Sequence, residues 1–131
     1  MRRMLLLVMA ATLVASVAAY GHHSYSATYD INRQVTLDGK LVQFVFKNPH
    51  SFVTVLAPDQ KGAPQRWSVE WSGTGQLTNQ GVTRETLKPG DAIVVTGNPS
   101  RVPGEYKALM VSLTRPLDGF TWGGRVGEAV D

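Results

Sequence analysis

Five apolar stretches of strand length, each fenced by turn residues, constrain this chain more than any other feature. From Val35 to Lys47 apolar side chains alternate in two registers, Val35 and Leu37 before Gly39, then Val42, Phe44 and Phe46 after it. That pattern predicts a long first strand with a bend near Asp38-Gly39. Asn48-Pro49-His50-Ser51 reads as a turn, because proline cannot donate to a ladder and asparagine favours turn starts. Phe52 to Leu56 is a second strand, and Ala57 to Gln65 a loop carrying Pro58, Gly62 and Pro64. Arg66 to Trp71 alternates strictly, which sets Trp67, Val69 and Trp71 on one face and Arg66, Ser68 and Glu70 on the other.

Ser72 to Leu87 breaks this period. Its large apolar residues are Leu77, Val82 and Leu87, and Gly81 reads as a helix stop, so one or two short helical turns are expected. Lys88-Pro89-Gly90-Asp91 is a turn that leads into a β-branched fourth strand, Ala92 to Gly97. A fifth strand, Tyr106 to Leu113, follows the proline-bearing stretch Asn98 to Gly104. Beyond Pro116 four glycines predict a flexible tail over 119–131. The 131 residues suit one domain. Five strands, a bent first strand and a helix between strands three and four predict an all-β, OB-like five-stranded barrel over residues 22–118. A β-sandwich of equal strand count is the alternative.

The N-terminus predicts a signal peptide over residues 1–21. Arg2 and Arg3 precede an apolar run from Met4 to Val14, which is short for a membrane span, and small residues follow. Cleavage after Ala18, Ala19 or Gly21 satisfies the small-x-small rule, and Gly21 and Ala19 are the sites that matter for the chemistry below. An uncleaved anchor is the alternative. Without residues 1–21 the chain holds eleven basic and ten acidic side chains, so electrostatic capture of nucleic acid or an anionic membrane loses its basis. The expected mature protein is exported, periplasmic or secreted, with no nucleic-acid partner and no membrane span.

His22-His23-Ser24, Tyr29-Asp30, Asn48-Pro49-His50-Ser51, Trp67…Glu70 and the Leu87-to-Asp91 turn before Val95-Thr96-Gly97 form a recognisable set. Over about residues 22–119 the chain resembles a family of short exported bacterial proteins classed as a domain of unknown function. The resemblance implies export and a small β-barrel and assigns no activity. Relatives of this kind carry the paired histidines directly after an alanine cleavage signal, whereas Tyr20-Gly21 intervenes here.

With no cysteine, the chain has no disulfide framework, no cysteine-ligated zinc, no iron–sulfur cluster and no thiol nucleophile. It has no G-x-S-x-G, P-loop, dinucleotide fingerprint or H-E-x-x-H motif. Ser24 and Ser51 adjoin histidines, but strand neighbours point to opposite faces. Glu70 is expected to be an outward, solvated residue. Phe44, Phe46, Phe52, Trp67 and Trp71 are expected to fill the barrel rather than to form a stacking platform. The three histidines, His22, His23 and His50, all sit in the two quoted motifs and are the candidate metal ligands. A cut after Gly21 gives His22 a free amine beside its ring, a chelate resembling a histidine brace, to which His50 can add an imidazole. A cut after Ala19 gives Tyr20-Gly21-His22, whose amine, two amide nitrogens and imidazole form a square plane suited to Cu(II). The expectation is therefore a non-catalytic exported protein that binds copper through its histidines. The alternative is a barrel that takes a small ligand, a sugar or a periplasmic protein partner without metal.

Overall fold

The computed structural model describes residues 25–124. The expected signal peptide with its cleavage sites, His22, His23 and the residues from 125 onward lie outside the described residues. In chain order the elements are β1 (Val35–Val45), β2 (Phe52–Pro58), β3 (Pro64–Glu70), α1 (Thr74–Asn79), β4 (Ala92–Pro99), β5 (Lys107–Arg115) and β6 (Phe120–Gly123).

Closure depends on β1 and β5, which each give different parts of their length to different partners. β1 pairs with β4 over Val35–Lys40 and with β2 over Lys40–Val45, so the strand changes partner at its middle. Gly39 stands at this crossing, where a Cβ would collide with the carbonyl oxygen of Leu56. Two residues on, the register slips between Leu41 and Gln43, which makes Val42 a bulge and adds local twist. β5 divides its outer edge. Ser68–Glu70 of β3 runs parallel to Lys107–Leu109 and closes the barrel, while Ser112–Arg115 pairs antiparallel with β6. The sheet order β3-β2-β1-β4-β5 with this parallel return is the five-stranded, OB-like barrel expected from the sequence.

Alternation fills the interior: Leu37 and Leu41 from β1, Val53 and Val55 from β2, Val69 from β3, Ile93 and Val95 from β4, and Met110 and Leu113 from β5 are all buried. α1 closes one end with Leu77. Its exit is a six-residue capping motif in which the Gly81 amide donates to Thr78 and the Val82 amide donates to Leu77. Leu77 and Val82, the apolar pair that accompanies such a cap, are both buried.

Two expectations need correction. Phe120–Gly123, read as flexible tail, is a sixth strand, held because Trp122 meets Trp71 edge-to-face at 4.9 Å and donates its indole N–H to Gln80. Trp67 packs against the core as expected but is half-buried, because the β5 pairing begins opposite Ser68, one residue after it. Phe52 is also only half-buried and lies under the Lys47 ammonium, 5.4 Å from its ring centre, rather than inside the barrel. Trp71 is 2% exposed, and Phe44 and Phe46 pack against the core as expected. Among the described residues no helix is long and apolar enough to cross a membrane.

Candidate functional site

His50 sits in the turn between β1 and β2, and that turn is tied down from two sides. The Ser51 amide donates to Ser72 and its carbonyl accepts from Trp71, continuing the β2–β3 ladder beyond the strands themselves. The Asn48 side-chain oxygen accepts the Thr74 amide at 2.9 Å, anchoring the turn to the start of α1. Ser51, although next to His50 in sequence, is buried, and its hydroxyl bonds the Lys47 main chain. It has no role beside the imidazole. The ring itself remains 37% exposed at the end of the barrel.

Both imidazole nitrogens are engaged. Nδ1 lies 2.7 Å from Glu70 Oε1, and Nε2 lies 2.7 Å from the Tyr25 hydroxyl. Glu70, the last residue of β3, turns its other oxygen to the Tyr29 hydroxyl, which donates to it at 2.5 Å. A carboxylate can only accept, so neutral His50 carries its proton on Nδ1 and leaves the Nε2 lone pair to accept from Tyr25. The result is a chain, Tyr29–Glu70–His50–Tyr25, in which each group has one partner on each side or ends the series.

The two tyrosines arrive on the N-terminal segment, which is docked along the end of β4. Tyr29 bridges Ser100, the Asp30 amide donates to Pro99, and the Arg101 amide and side chain donate to Thr28 and Ser26. Tyr29 is 4% exposed. Burial, and then the hydrogen bond it gives Glu70, hold its phenol far above the usual range, so it stays protonated as a fixed donor. Burial, reinforced by the charge of Glu70, also raises Tyr25.

Glu70 is therefore not the solvated residue that its outward strand position suggests; 15% of its side chain is exposed, and two partners share its carboxylate. Strand alternation does put it on the outer face. What alternation does not carry is that residues 25–30 return to cover that face. Tyr25 was missed for the same reason, since its partner is twenty-five residues away. The available signal was the family-like motif set: Tyr29, His50 and Glu70 come from three separate motifs and meet in one hydrogen-bonded chain.

Of the three histidines expected as ligands, the structure places His50; His22 and His23 lie outside the described residues. Among the described residues no three histidine, aspartate or glutamate side chains stand close enough to hold a metal ion. His50 can offer one nitrogen, Nε2, and Tyr25 an oxygen beside it. Glu70 is placed as the outer carboxylate that orients a ligating histidine through its other nitrogen.

No curated protein and no solved structure matches the chain. A family model of unknown function matches residues 10–108, a span that includes all four members of the hydrogen-bonded chain, and the protein belongs to that family, DUF6152.

Proposed function

We propose that the protein is an exported, non-catalytic binding protein whose N-terminal histidines and His50 together hold Cu(II). The observation that carries this reading is the state of His50. Its Nδ1 is committed to Glu70 and its Nε2 points at the segment that leads back to His23 and His22. His23 and His22 precede Tyr25 by two and three residues in the sequence. An imidazole oriented by an outer carboxylate, within reach of a histidine pair at a signal-peptide junction, is a donor set suited to copper, which leads the divalent affinity order.

Tyr25 Oη stands 2.7 Å from His50 Nε2 as its hydrogen-bond donor, so a metal held at Nε2 would replace that hydrogen bond.

The test is a Cu(II) titration of exported protein whose first residue has been established by intact mass. One copper per chain is expected, with at least a hundredfold loss of affinity in His22→Ala. His50→Ala should weaken binding when His22 is the first residue and change little when Tyr20 is. Protein with a verified terminus that binds Cu(II) no more tightly than His22→Ala would sink the proposal.

A further inference from the structure

A groove of about 340 Å³ opens on the side of the barrel where the β2–β3 turn faces the β4–β5 loop, and its volume lies in the range of small-molecule sites. It is formed on the part of β3 that β5 leaves uncovered, and it is separate in sequence from the turn that carries His50. Trp67 and Tyr106 meet edge-to-face in its wall, with ring centres 5.2 Å apart. The Trp67 indole nitrogen is buried without a partner, so the ring gives the groove apolar surface and not a donor.

The charges around these rings are equal in number, two acids and two bases, and differ in what they already bind. Two acids line the groove, and both are already engaged. Asp59 accepts the Lys61 and Ala63 amides with one oxygen and the Gln65 side chain with the other, which holds its own turn together. Glu105 accepts the Ser100 hydroxyl at 2.7 Å and pairs with Lys107 at 3.7 Å. The two cations, Arg33 and Lys61, take part in no ion pair among the described residues. An aromatic wall beside two such cations, with carboxylates whose bonds hold their own loops, offers its free donors to a carboxylate ligand.

We infer that this groove binds a small ring-bearing carboxylate, its carboxylate on Arg33 and Lys61 and a ring face against Trp67 and Tyr106. The guanidinium offers a carboxylate two parallel N–H donors, and the ring faces supply sequence-independent stacking area. Two sources share this chemistry, an aromatic acid and an acidic sugar, and the groove is of a size for one or two rings. The inference does not depend on the metal reading.

The experiment is calorimetric titration of the whole exported protein with 4-hydroxybenzoate and with a glucuronate-containing disaccharide, beside phenol and cellobiose as uncharged counterparts. One acidic probe is expected to bind at least tenfold more tightly than its counterpart, and which one binds identifies the source. The Arg33→Ala/Lys61→Ala double variant should lose at least tenfold in affinity for that probe. Both positions are exposed, so the fold is not at stake. His50→Ala should bind the probe as the parent does, which separates failure here from failure at the histidines. The inference is overturned if neither acidic probe binds, if the uncharged counterparts bind equally well, or if the double variant binds unchanged.

Discussion

Glu70 and Trp67 sit on opposite faces of one strand, and each shows what a period of two encodes and what it leaves out. The alternation from Arg66 to Trp71 assigns faces correctly: Val69 and Trp71 are buried, and Glu70 points away from the barrel interior. It carries no information on depth along the barrel axis. Trp71 lies under Phe44 and Trp122, with ring centres at 5.8 and 4.9 Å, whereas Trp67 lies past the point where β5 begins. The two tryptophans should therefore differ in stability cost. Trp71→Ala is expected to lose about 3–5 kcal/mol, the range for emptying a buried aromatic site, and Trp67→Ala about half of that. Urea denaturation of the two variants against the parent measures the difference. Equal losses would place Trp67 in the core and remove the wall of the groove. The face of Glu70 was legible, but its partners were not, because Tyr29 comes from a segment 41 residues earlier and His50 from the β1–β2 turn.

Elements were legible where turn chemistry and length agreed, and lost where a strand was too short to show a period. The Lys88-Pro89-Gly90-Asp91 turn is an instance of the first. Gly90 has φ +94°, its amide donates to Leu41 of β1, and Asp91 receives the Lys88 amide at 3.0 Å. Asp91 also binds Arg115 of β5 at 2.8 Å, a contact between elements that the turn motif alone does not announce. Gly90→Val forces a β-branched side chain into the left-handed region, at a cost of about 1–3 kcal/mol. Asp91→Asn keeps the shape of the turn and weakens a partly exposed ion pair, which is worth less. Thermal melts should rank Gly90→Val below Asp91→Asn, and the reverse order would mean that the link to Arg115, and not the turn, fixes the entry to β4. β6 is an instance of the second. Its four residues lie between Gly119 and Gly124, and such a stretch reads as a tail. It becomes a strand because Arg115 grips Asp118 with two of its three guanidinium nitrogens, shaping the hairpin, and because Trp122 finds Trp71. Neither contact is periodic.

At the scale of the whole molecule, barrel closure and the seat of the N-terminal segment both depend on groups that titrate outside the neutral range, and this sets a stability profile against pH. On the acid side three carboxyls are held below the usual range. Asp118 is lowered chiefly by the Arg115 hydrogen bond, and Asp59 chiefly by the Ala63 amide. Burial works against Asp91, but the Lys88 amide and Arg115 together still lower it. A carboxyl with a lowered folded pKa stabilises the fold above its unfolded value, about 4, and that contribution is lost as pH falls through the folded value. On the alkaline side Tyr29 is raised, first by burial and then by its bond to Glu70. A raised group contributes fully below its unfolded value, about 10, and the contribution declines as pH rises beyond it. Melting temperature should therefore be flat from about pH 5 to 9 and fall on both sides. Tyr29→Phe should make the alkaline limb shallower, with Tyr25 still contributing, and leave the acid limb in place, whereas Asp118→Asn should make the acid limb shallower, with Asp59 and Asp91 still contributing. The measurement is a series of thermal melts at constant ionic strength from pH 2 to 12. An alkaline limb that is equally steep in Tyr29→Phe would mean that the phenol is not the group that ties the N-terminal segment to the barrel, and the docking of residues 25–30 would then rest on the bonds to Pro99 and Arg101 and on the Tyr25 link to His50.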